Sequence, residues 1–391
     1  MNYWKKSFSR TRLLGTSLLL SSLLLTAAGP VSAQDAAGPA AGPAAEGAHF
    51  FFSSAARHNV VMDDAGSLWY WGNKAQVTGG ETIVHDNKPE RVMSLAGAKQ
   101  VAASVKRNLI LKEDGTVWTW SCDWVIDPKT GEGGSTFSAP QQMAGLSNIV
   151  KVSAGMSLYA ALDKDGRVWM WIDPPYGTGE ASPVSDLSDA VDISAGIGSL
   201  VIVKKDGTVW QWKQFEGFNL NTDKKFTKVE GLEGIVKLSQ GEEAGHFMAI
   251  DKHGDVWGWG NNVVNQIGPQ TEPVSDRDKP VIRKPVKIQG LSHVTEVITT
   301  SFSTLALSED GSLYFWGLNP AWASGSKETM KWDTPQPWAG LRDIIAVEAG
   351  ESHYLALRKD GTLWAWGENA LGQLGDATFR KSLTPVQVKL P

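Results

Sequence analysis

Three histidines stand at the same place in an internal repeat, eight residues before a glycine that recurs seven times along the chain. They are His58, His246 and His353. In the other four copies this position holds Arg107, Leu158, Ser199 and Ser303. A ring of imidazoles around a central axis could bind a metal. Metal ligands must converge in space, however, whereas the repeat spreads this position around the molecule. We therefore interpret these residues as strand-end groups that hydrogen-bond a neighbouring repeat.

No other part of the sequence carries a motif that indicates catalysis or cofactor binding. It lacks a nucleophile elbow, a His-Glu-x-x-His zinc pair, a phosphate loop and a dinucleotide fingerprint. The acidic residues that recur with the repeat are the aspartates of the five Asp-Gly turns, and a turn role accounts for them. Cys122 has no neighbouring base, so we interpret it as a buried or half-buried inert thiol. We therefore predict no catalytic residue, no metal site and no cofactor.

The copies of the repeat differ most in three long segments, and binding residues are expected in such variable loops. The segments run from Cys122 to Ser138, from Gly260 to Arg283 and from Leu318 to Thr334. Four tryptophans lie in or just beyond them, outside the repeated tryptophan positions: Trp124, Trp322, Trp332 and Trp338. Each is a candidate ligand-binding anchor, because buried aromatic side chains dominate binding hot spots, or alternatively a plug over its own repeat. Trp124 and Trp322 are the better candidates.

A tryptophan pattern around the repeated glycine predicts the elements that position these residues. The glycines are Gly66, Gly115, Gly166, Gly207, Gly254, Gly311 and Gly361. Tryptophan occupies the third and fifth positions after each of them, except that Tyr314 follows Gly311 at the third. Residues two apart share one face of a strand, and the second position, always Leu or Val, belongs to the opposite face. The pattern predicts a strand that is apolar on both faces and packed between two layers.

Three further strands are predicted in each repeat. A strand with apolar residues six and four positions before the glycine leads into a short polar turn, which is Asp-Gly in five copies and tolerates the positive φ of a tight hairpin. An apolar strand precedes this hairpin. A short extended piece, often opened by proline, follows the variable loop. Each repeat therefore holds about four strands, and the pattern predicts no helix.

The spacing of the glycines, between 41 and 57 residues, predicts a propeller or a β-solenoid. Solenoid turns are usually shorter, so we predict an all-β, seven-bladed β-propeller built from four-stranded repeats of about 50 residues. The sequence starts its first unit and ends its last unit in phase, as a closed ring without exposed sheet edges requires. Which strands share a blade, and whether a strand crosses over to close the ring, remain open at this point.

The last repeat resembles a known family. The run from Gly350 to Gly375, which includes Asp-Gly-Thr-Leu-Trp-Ala-Trp-Gly and Gly-Gln-Leu-Gly, is similar to the repeat of the regulator of chromosome condensation family. The run from Gly260 to Gly268 matches in part, and the other five copies keep only the strand core. The resemblance implies a seven-bladed propeller over residues 49–391. The nearer analogy is the exported bacterial type, which includes a propeller-type β-lactamase inhibitory protein.

The N-terminus has the pattern of a secretory signal peptide over residues 1–33. Its basic region contains Lys5, Lys6, Arg10 and Arg12. An apolar stretch follows at residues 13–27, and small residues at 31–33 precede a predicted cleavage before Gln34. The apolar stretch is short for a membrane span, and an uncleaved anchor is the alternative. Residues 34–48, rich in Ala, Gly and Pro, are predicted to form a flexible linker before the propeller at residues 49–391.

Charge and cysteine content narrow the possible partners. The chain of 391 residues carries a net charge of −5, and loss of the four basic residues of the signal segment changes it to −9. An acidic exported protein is a poor candidate for nucleic-acid binding. The single cysteine excludes an intramolecular disulfide framework and a cysteine-based zinc cage. We expect a secreted monomer with no stable membrane span after signal cleavage, and a cell-surface location is possible.

Together these features predict an exported, non-catalytic binding or scaffold propeller. Its partner would be a protein or a cell-surface ligand such as a cell-wall polymer, recognised through the rim loops. One alternative is a propeller-type enzyme inhibitor similar to the β-lactamase inhibitory protein. A second alternative is an extracellular polysaccharide-active enzyme with acidic residues in the central channel.

Overall fold

A computed structural model describes most of the repeat region. The described residues are 50–55, 57–63, 65–73, 85–126, 133–185, 187–216, 219–220, 223, 225–239, 241, 245–269, 280–319 and 331–390. The predicted signal peptide at 1–33, the predicted linker at 34–48 and Trp322 lie outside them. In this part of the chain, no helix has the length and apolar character needed to cross a membrane.

The strands form seven four-stranded antiparallel sheets, which are the blades of a seven-bladed β-propeller. Blade 1 contains β1 (Phe50–Ser54), β2 (His58–Asp63), β3 (Ser67–Asn73) and β4 (His85–Ser94). Blade 2 contains β5 (Ala98–Ala102), β6 (Asn108–Lys112), β7 (Val117–Trp120) and β10 (Gln141–Gln142), with a two-stranded ribbon of β8 (Cys122–Ile126) and β9 (Gly133–Phe137) between the last two. Blade 3 contains β11 (Ile149–Ala154), β12 (Leu158–Asp163), β13 (Val168–Ile172) and β14 (Ser182–Pro183).

The remaining blades follow the same plan. Blade 4 contains β15 (Ala190–Gly196), β16 (Ser199–Lys204), β17 (Val209–Lys213) and β20 (Thr227–Lys228), with a ribbon of β18 (Phe215–Glu216) and β19 (Asn219–Leu220). Blade 5 contains β21 (Ile235–Leu238), β22 (His246–Asp251), β23 (Val256–Asn261) and β24 (Val281–Lys287). Blade 6 contains β25 (Val294–Thr299), β26 (Ser303–Ser308), β27 (Leu313–Leu318) and β28 (Lys331–Pro337). Blade 7 contains β29 (Ile344–Ala349), β30 (His353–Arg358), β31 (Leu363–Gly367) and β32 (Ser382–Gln387).

Every blade pairs its four strands in chain order, which settles the question of closure that the sequence left open. No strand of the described residues crosses into another blade's sheet. The ring closes instead by side-chain packing between blades 7 and 1, where Phe52, Val61 and Trp71 share one core with Leu355 and Leu374. First strands of neighbouring blades contact one another, including β29 and β1, so they surround the ring axis.

The tryptophan pattern predicts its own burial correctly. The tryptophan five positions after each repeated glycine is buried in all seven blades. The aromatic residue three positions after the glycine is half-buried, and the aliphatic residue at the second position is buried on the opposite face. The third strand of every blade is therefore covered on both faces by apolar side chains, as expected for a strand between two packed layers.

The hairpin turns take the conformation that the Asp-Gly pairs predict. All seven repeated glycines have φ between 75° and 80°. In three copies the residue after the glycine is a threonine that links the turn to the tryptophan. Asp114 Oδ1 accepts bonds from the Thr116 amide at 2.9 Å and its hydroxyl at 2.6 Å, and Thr116 Oγ1 accepts a bond from Trp118 Nε1 at 3.0 Å. These hydrogen bonds lower the pKa of the Asp114 carboxyl.

The first strand of six blades carries a β-bulge near its start. The residue without a paired partner is Lys99, Val150, Val191, Val236, Thr295 or Ile345. A bulge bends the strand and re-aims a side chain. Four of these residues are consequently exposed aliphatic side chains at the start of the first strand, and they are Val150, Val191, Val236 and Ile345. We call them the bulge collar.

Candidate functional site

The two faces of the propeller differ in what they carry. The turn face is formed by the repeated Asp-Gly hairpins and the links between blades, and it bears the bulge collar. The loop face is formed by the turns between first and second strands and by the connections between third and fourth strands. Both inserted ribbons, β8–β9 and β18–β19, belong to connections of the loop face. The face that varies between repeats is therefore the loop face.

Several large apolar side chains on the loop face are exposed to solvent. Met156, Ile197 and Phe302 lie in turns between first and second strands, and 39–47% of each is exposed. Tyr176 and Val263 lie in connections that follow third strands, and about half of each is exposed. Exposed apolar side chains are one mark of an interaction surface, but the bulge collar gives the turn face four of its own, so the inserted ribbons and a cleft must distinguish the loop face.

A cleft of about 440 Å³ opens on the loop face between blades 2 and 3. Its lining residues are Lys106, Arg107, Thr119, Trp120, Ser121, Ser138, Ala139, Gln141, Asp173 and Pro174. These positions come from the first turn of blade 2, the end of β7, the start of β10 and the end of β13. The β8–β9 ribbon begins and ends next to Ser121 and Ser138 at the edge of this cleft. We call it the blade 2–3 cleft.

The floor of the blade 2–3 cleft is an ion pair joined to a buried tyrosine. Arg107 Nη2 lies 2.9 Å from Asp173 Oδ1, and the guanidinium lies over the Tyr159 ring at 6.0 Å. The Tyr159 hydroxyl donates to Asp173 Oδ2 at 3.0 Å, and it lies 3.3 Å from Ser104 Oγ. Burial and the Asp173 charge raise the pKa of Tyr159, so the phenol stays protonated and donates. Asp173 is buried, with Oδ2 hydrogen-bonded to Tyr159 and Oδ1 in the ion pair with Arg107 but in no hydrogen bond among the described residues.

Each of the three repeated histidines hydrogen-bonds a neighbouring blade, as the sequence predicts. His58 Nε2 lies 3.3 Å from Asn108 Oδ1 in blade 2. His246 Nε2 lies 2.9 Å from Thr304 Oγ1 in blade 6. Each thus hydrogen-bonds the next blade, and His353 does the same with blade 1. Burial lowers the pKa of His58 to about 4 and the pKa values of His246 and His353 to about 3, so all three are neutral at neutral pH.

Charged residues of the first strands surround the ring axis as cross-blade pairs. Lys151 of blade 3 pairs with Asp192 of blade 4, whose Oδ2 also accepts from the Leu238 amide at 2.7 Å. Lys237 of blade 5 lies 3.4 Å from Glu296 of blade 6. These contacts join the first strands of blades 3 to 6 in sequence around the axis. Glu348 lies nearby, and burial together with the Glu296 charge raises its pKa well above the usual value.

Trp332 and Trp338 lie in an aromatic cluster between blades 6 and 7. Trp338 stacks on Trp366 with ring centroids 6.1 Å apart, and Trp332 meets Phe315 edge-on at 5.5 Å. The Trp338 amide donates to Leu313 O at 2.8 Å, as the amide of Met143 does to its own blade's Val117 O. Trp338 therefore occupies a regular repeat position that is aliphatic in other blades. The tryptophan pattern alone leaves Trp338 outside the repeat. Its position is visible in the sequence, because Trp338 stands three residues after Pro335 as Met143 stands three residues after Pro140.

The structure does not describe the side chains of the other two candidate tryptophans. Trp124 lies in β8, where the ribbon stands beside the blade 2–3 cleft. Trp322 lies outside the described residues. Both remain predicted binding anchors. Cys122 is half-buried and packs at the edge of the core that contains Tyr70 and Trp120.

A second cavity of about 500 Å³ lies on the turn face between blades 6 and 7. Trp338, Tyr314, Arg342 and two carboxylates, Asp310 and Asp343, contribute to its lining. The blade 2–3 cleft has Asp173 as its carboxylate. Neither cavity brings together three acidic or histidine side chains. The described residues as a whole contain no group of three or more His, Cys, Asp or Glu arranged to hold a metal ion.

The sequence analysis missed the cations of the blade 2–3 cleft and the exposed apolar residues of the loop face. Arg107 stands at the histidine position, and its departure from His and Ser is the sequence signal for it. Met156, Ile197 and Phe302 occupy short turns that look like ordinary links. The signal that could have found them is an apolar residue in a turn otherwise made of Gly and Ser.

Family comparisons agree with this architecture. The model of the regulator of chromosome condensation (RCC1) repeat matches residues 253–307 and 360–391, and a second RCC1 repeat model matches residues 344–373. These matches and the seven blades support the RCC1-repeat family. The matched segments fall in blades 5 to 7.

Relatives match over most of the chain. The "Regulator of chromosome condensation" of Xenopus laevis is 24% identical over 298 residues, which are 72% of this chain and 62% of that protein. The "Protein RCC2 homolog" of Xenopus laevis is 35% identical over 350 residues, which are 86% of this chain and 63% of that protein. This RCC1-like chain thus spans somewhat under two thirds of the length of these relatives.

A solved structure shows the same fold. Prp20p from Saccharomyces cerevisiae, whose crystal structure was described with its binding to Gsp1p and histones, aligns with a TM-score of 0.59 and 18% identity. The alignment covers 76% of this chain and 80% of Prp20p. At this identity the similarity establishes the seven-bladed fold.

Proposed function

We propose that this protein is an exported, non-catalytic RCC1-like propeller that binds a partner protein through its loop face. The observation that carries the proposal is the difference between the two faces. The turn face repeats one hairpin seven times with nearly constant φ. The loop face carries the inserted ribbons, the blade 2–3 cleft and the exposed apolar turns.

Exposed apolar side chains at the turns of the loop face favour a protein over a polymer as the partner. Met156 and Ile197 lie in equivalent turns of adjacent blades, and Phe302 lies in the equivalent turn of blade 6. Together with the cleft they form a surface of mixed apolar and charged character. Protein interfaces combine apolar anchors with a polar rim in this way.

Relatives support protein binding as the class of function. Prp20p, the yeast RCC1, binds Gsp1p and histones, and it has been crystallised with Kap60 bound. Those partners belong to that protein. For this chain they support only the proposal that a protein binds one face of the ring.

Export is proposed from the basic, apolar and small-residue order of residues 1–33. Expression of the full chain in a secreting host tests it. We expect mature protein in the secreted fraction with its N-terminus at Gln34. If the protein stays in the cell with residues 1–33 still attached, export is contradicted. The proposal that the loop face binds a protein does not depend on this result.

Two substitutions in blade 4 test which face binds. Ile197 on the loop face and Val191 on the turn face are 47% and 48% exposed, so each can be changed to Ser with similar effects on folding. The tagged protein is used to capture partners from the secreted fraction of the producing organism. We expect a stoichiometric protein complex that Ile197→Ser weakens and Val191→Ser leaves intact. The opposite result would move the interface to the turn face, and capture of a glycan alone would replace the protein by a polymer.

A further inference from the structure

The blade 2–3 cleft carries two adjacent cations at positions where no other blade has both. Lys106 and Arg107 stand nine and eight residues before Gly115. The eighth position is His or Ser in five other blades, and Leu in blade 3. Against these two cations the cleft lining offers one carboxylate, Asp173. One positive charge therefore remains uncompensated among the lining residues.

Asp173 does not neutralise both cations. Its side chain is 5% exposed, and its two oxygens face Arg107 and the Tyr159 hydroxyl. Lys106 Nζ lies instead 3.1 Å from the Pro174 carbonyl, which is a neutral acceptor. A guanidinium presents five N–H donors in a planar fork, so Arg107 keeps donors beyond the one that faces Asp173. Its side chain is 29% exposed, so solvent or a ligand can reach it.

A buried donor lines the same cleft. In two other blades, the indole N–H at the equivalent tryptophan position donates to a backbone carbonyl, from Trp71 to Gln373 O and from Trp212 to Asp223 O, both at 2.8 Å. Trp120 is 2% exposed, and its Nε1 has no acceptor among the described residues. Three other tryptophans at this position also lack an acceptor there, but they do not line this cleft. A buried donor without an acceptor favours a ligand that brings an oxygen.

We propose that the blade 2–3 cleft binds a carboxylate of the partner protein, either a chain terminus or an Asp or Glu side chain. Arg107 and Lys106 supply the charge, and the Trp120 indole with the Ser121, Ser138 and Gln141 side chains supplies neutral hydrogen-bonding groups around it. Bonds from cationic donors to a carboxylate are stronger than neutral ones, and Arg matches the geometry of two carboxylate oxygens. A volume of about 440 Å³ accommodates such a group with neighbouring atoms of its chain.

The inference rests on the proposed function for the source of the carboxylate, but it is tested without the partner. The probe is N-acetylglycine, titrated into the mature protein, and its neutral control is N-acetylglycinamide. The readout is the indole N–H resonance of Trp120, which is assigned by its loss in Trp120→Phe. We expect a saturable downfield shift with the acid and none with the amide.

Three variants assign the binding to the cleft. Lys106→Gln and Arg107→Gln should each weaken N-acetylglycine binding about tenfold, the loss expected for a charge-assisted bond. Arg57→Gln is the matched control, because Arg57 stands nine residues before its own glycine in blade 1 and pairs with Glu351 at 3.4 Å. It should leave binding unchanged. Lys106 is the decisive position, because Arg107→Gln leaves Asp173 buried without its cation and could reduce folding.

Each result decides the proposal. Equal shifts from acid and amide, a shift retained in Lys106→Gln at unchanged affinity, or no shift at all would overturn it. Inorganic phosphate is added as a further probe. If phosphate binds with an affinity equal to or higher than that of N-acetylglycine, the cleft is a general anion site and not a carboxylate site. If the acid binds but no partner protein is captured, the cleft assignment stands and the proposed function fails.

Discussion

His353 Nε2 lies 2.7 Å from Asn59 Oδ1, and this bond joins the last blade to the first across 294 residues of sequence. Asn59 is fully buried, and it makes two further bonds. Its Oδ1 accepts from Ser54 Oγ at 2.7 Å, and its Nδ2 donates to Gln373 O in blade 7 at 2.7 Å. Asn59 thus makes two of the hydrogen bonds that join blades 7 and 1, in addition to the apolar core that these blades share.

Asn59→Ala should therefore destabilise the ring. Loss of the amide leaves buried partners without bonds, so we expect the free energy of unfolding to fall by about 3 kcal/mol. Asn108→Ala is the matched control, because Asn108 holds the same repeat position and its bond to His58 is longer, at 3.3 Å. It should cost about 1 kcal/mol. Urea unfolding measures both, and equal losses would show that closure has no special dependence on Asn59.

Acid should weaken the protein through its buried histidines. The folded-state pKa of His246 is about 3 and its ordinary value is 6.5, so between these values the unfolded chain binds more protons. The stability from a neutral His246 is present above pH 6.5 and is lost as the pH falls below it, by about 1.4 kcal/mol per pH unit.

His246→Gln isolates this contribution from other titrating groups. Glu348, with its raised pKa, acts in the opposite direction, since its stabilisation is lost as the pH rises. Glu348 is present in both proteins, so its effect cancels in the comparison. Urea unfolding from pH 6.5 to 4.5 should show the wild type losing stability relative to His246→Gln. Parallel curves would mean that His246 is protonated in the folded ring.

The repeated glycine of blade 4 is required by contact with the next blade as well as by its φ. A Cβ on Gly207, which has φ 79°, would lie 2.6 Å from Gly234 Cα. Gly231 has φ 89° in the same blade, but a Cβ there meets nothing within 4 Å. Gly231→Ala should cost about 1 kcal/mol from backbone conformation alone, and Gly207→Ala about 3 kcal/mol or more. Thermal or urea unfolding measures both variants. If Gly207→Ala and Gly231→Ala lose similar stability, the clash with the next blade does not occur.

Trp338 is expected to contribute to packing between blades 6 and 7. Trp338→Val restores the aliphatic residue found at this position in other blades, but it removes the ring that stacks on Trp366. We expect a loss of about 2 kcal/mol in the free energy of unfolding. Met143→Val changes the same position of blade 2 and should cost about 1 kcal/mol. An unchanged stability of Trp338→Val, together with loss of partner binding, would make Trp338 a ligand anchor.

The sequence by itself determined what short-range chemistry encodes. The period of two between tryptophans fixed the buried third strand, and the Asp-Gly pairs fixed hairpins such as that at Gly361, whose φ is 79°. Seven copies of the same strand and turn pattern fixed the number of blades. It also identified the histidine position as a contact between repeats, because a position repeated by symmetry cannot bring its members together at one metal.

The tertiary structure decided which repeated positions meet and which side chains the ring exposes. Asn59 and His353 are neighbours only because the ring closes, and Arg107 meets Asp173 only because blades 2 and 3 pack side by side. An apolar turn residue such as Ile197 can be picked out in the sequence among Gly and Ser residues, but only the assembled ring decides that it is exposed. Such contacts depend on the angle between blades, which arises from the packing of the whole ring. The local periodicity of the sequence does not encode this angle.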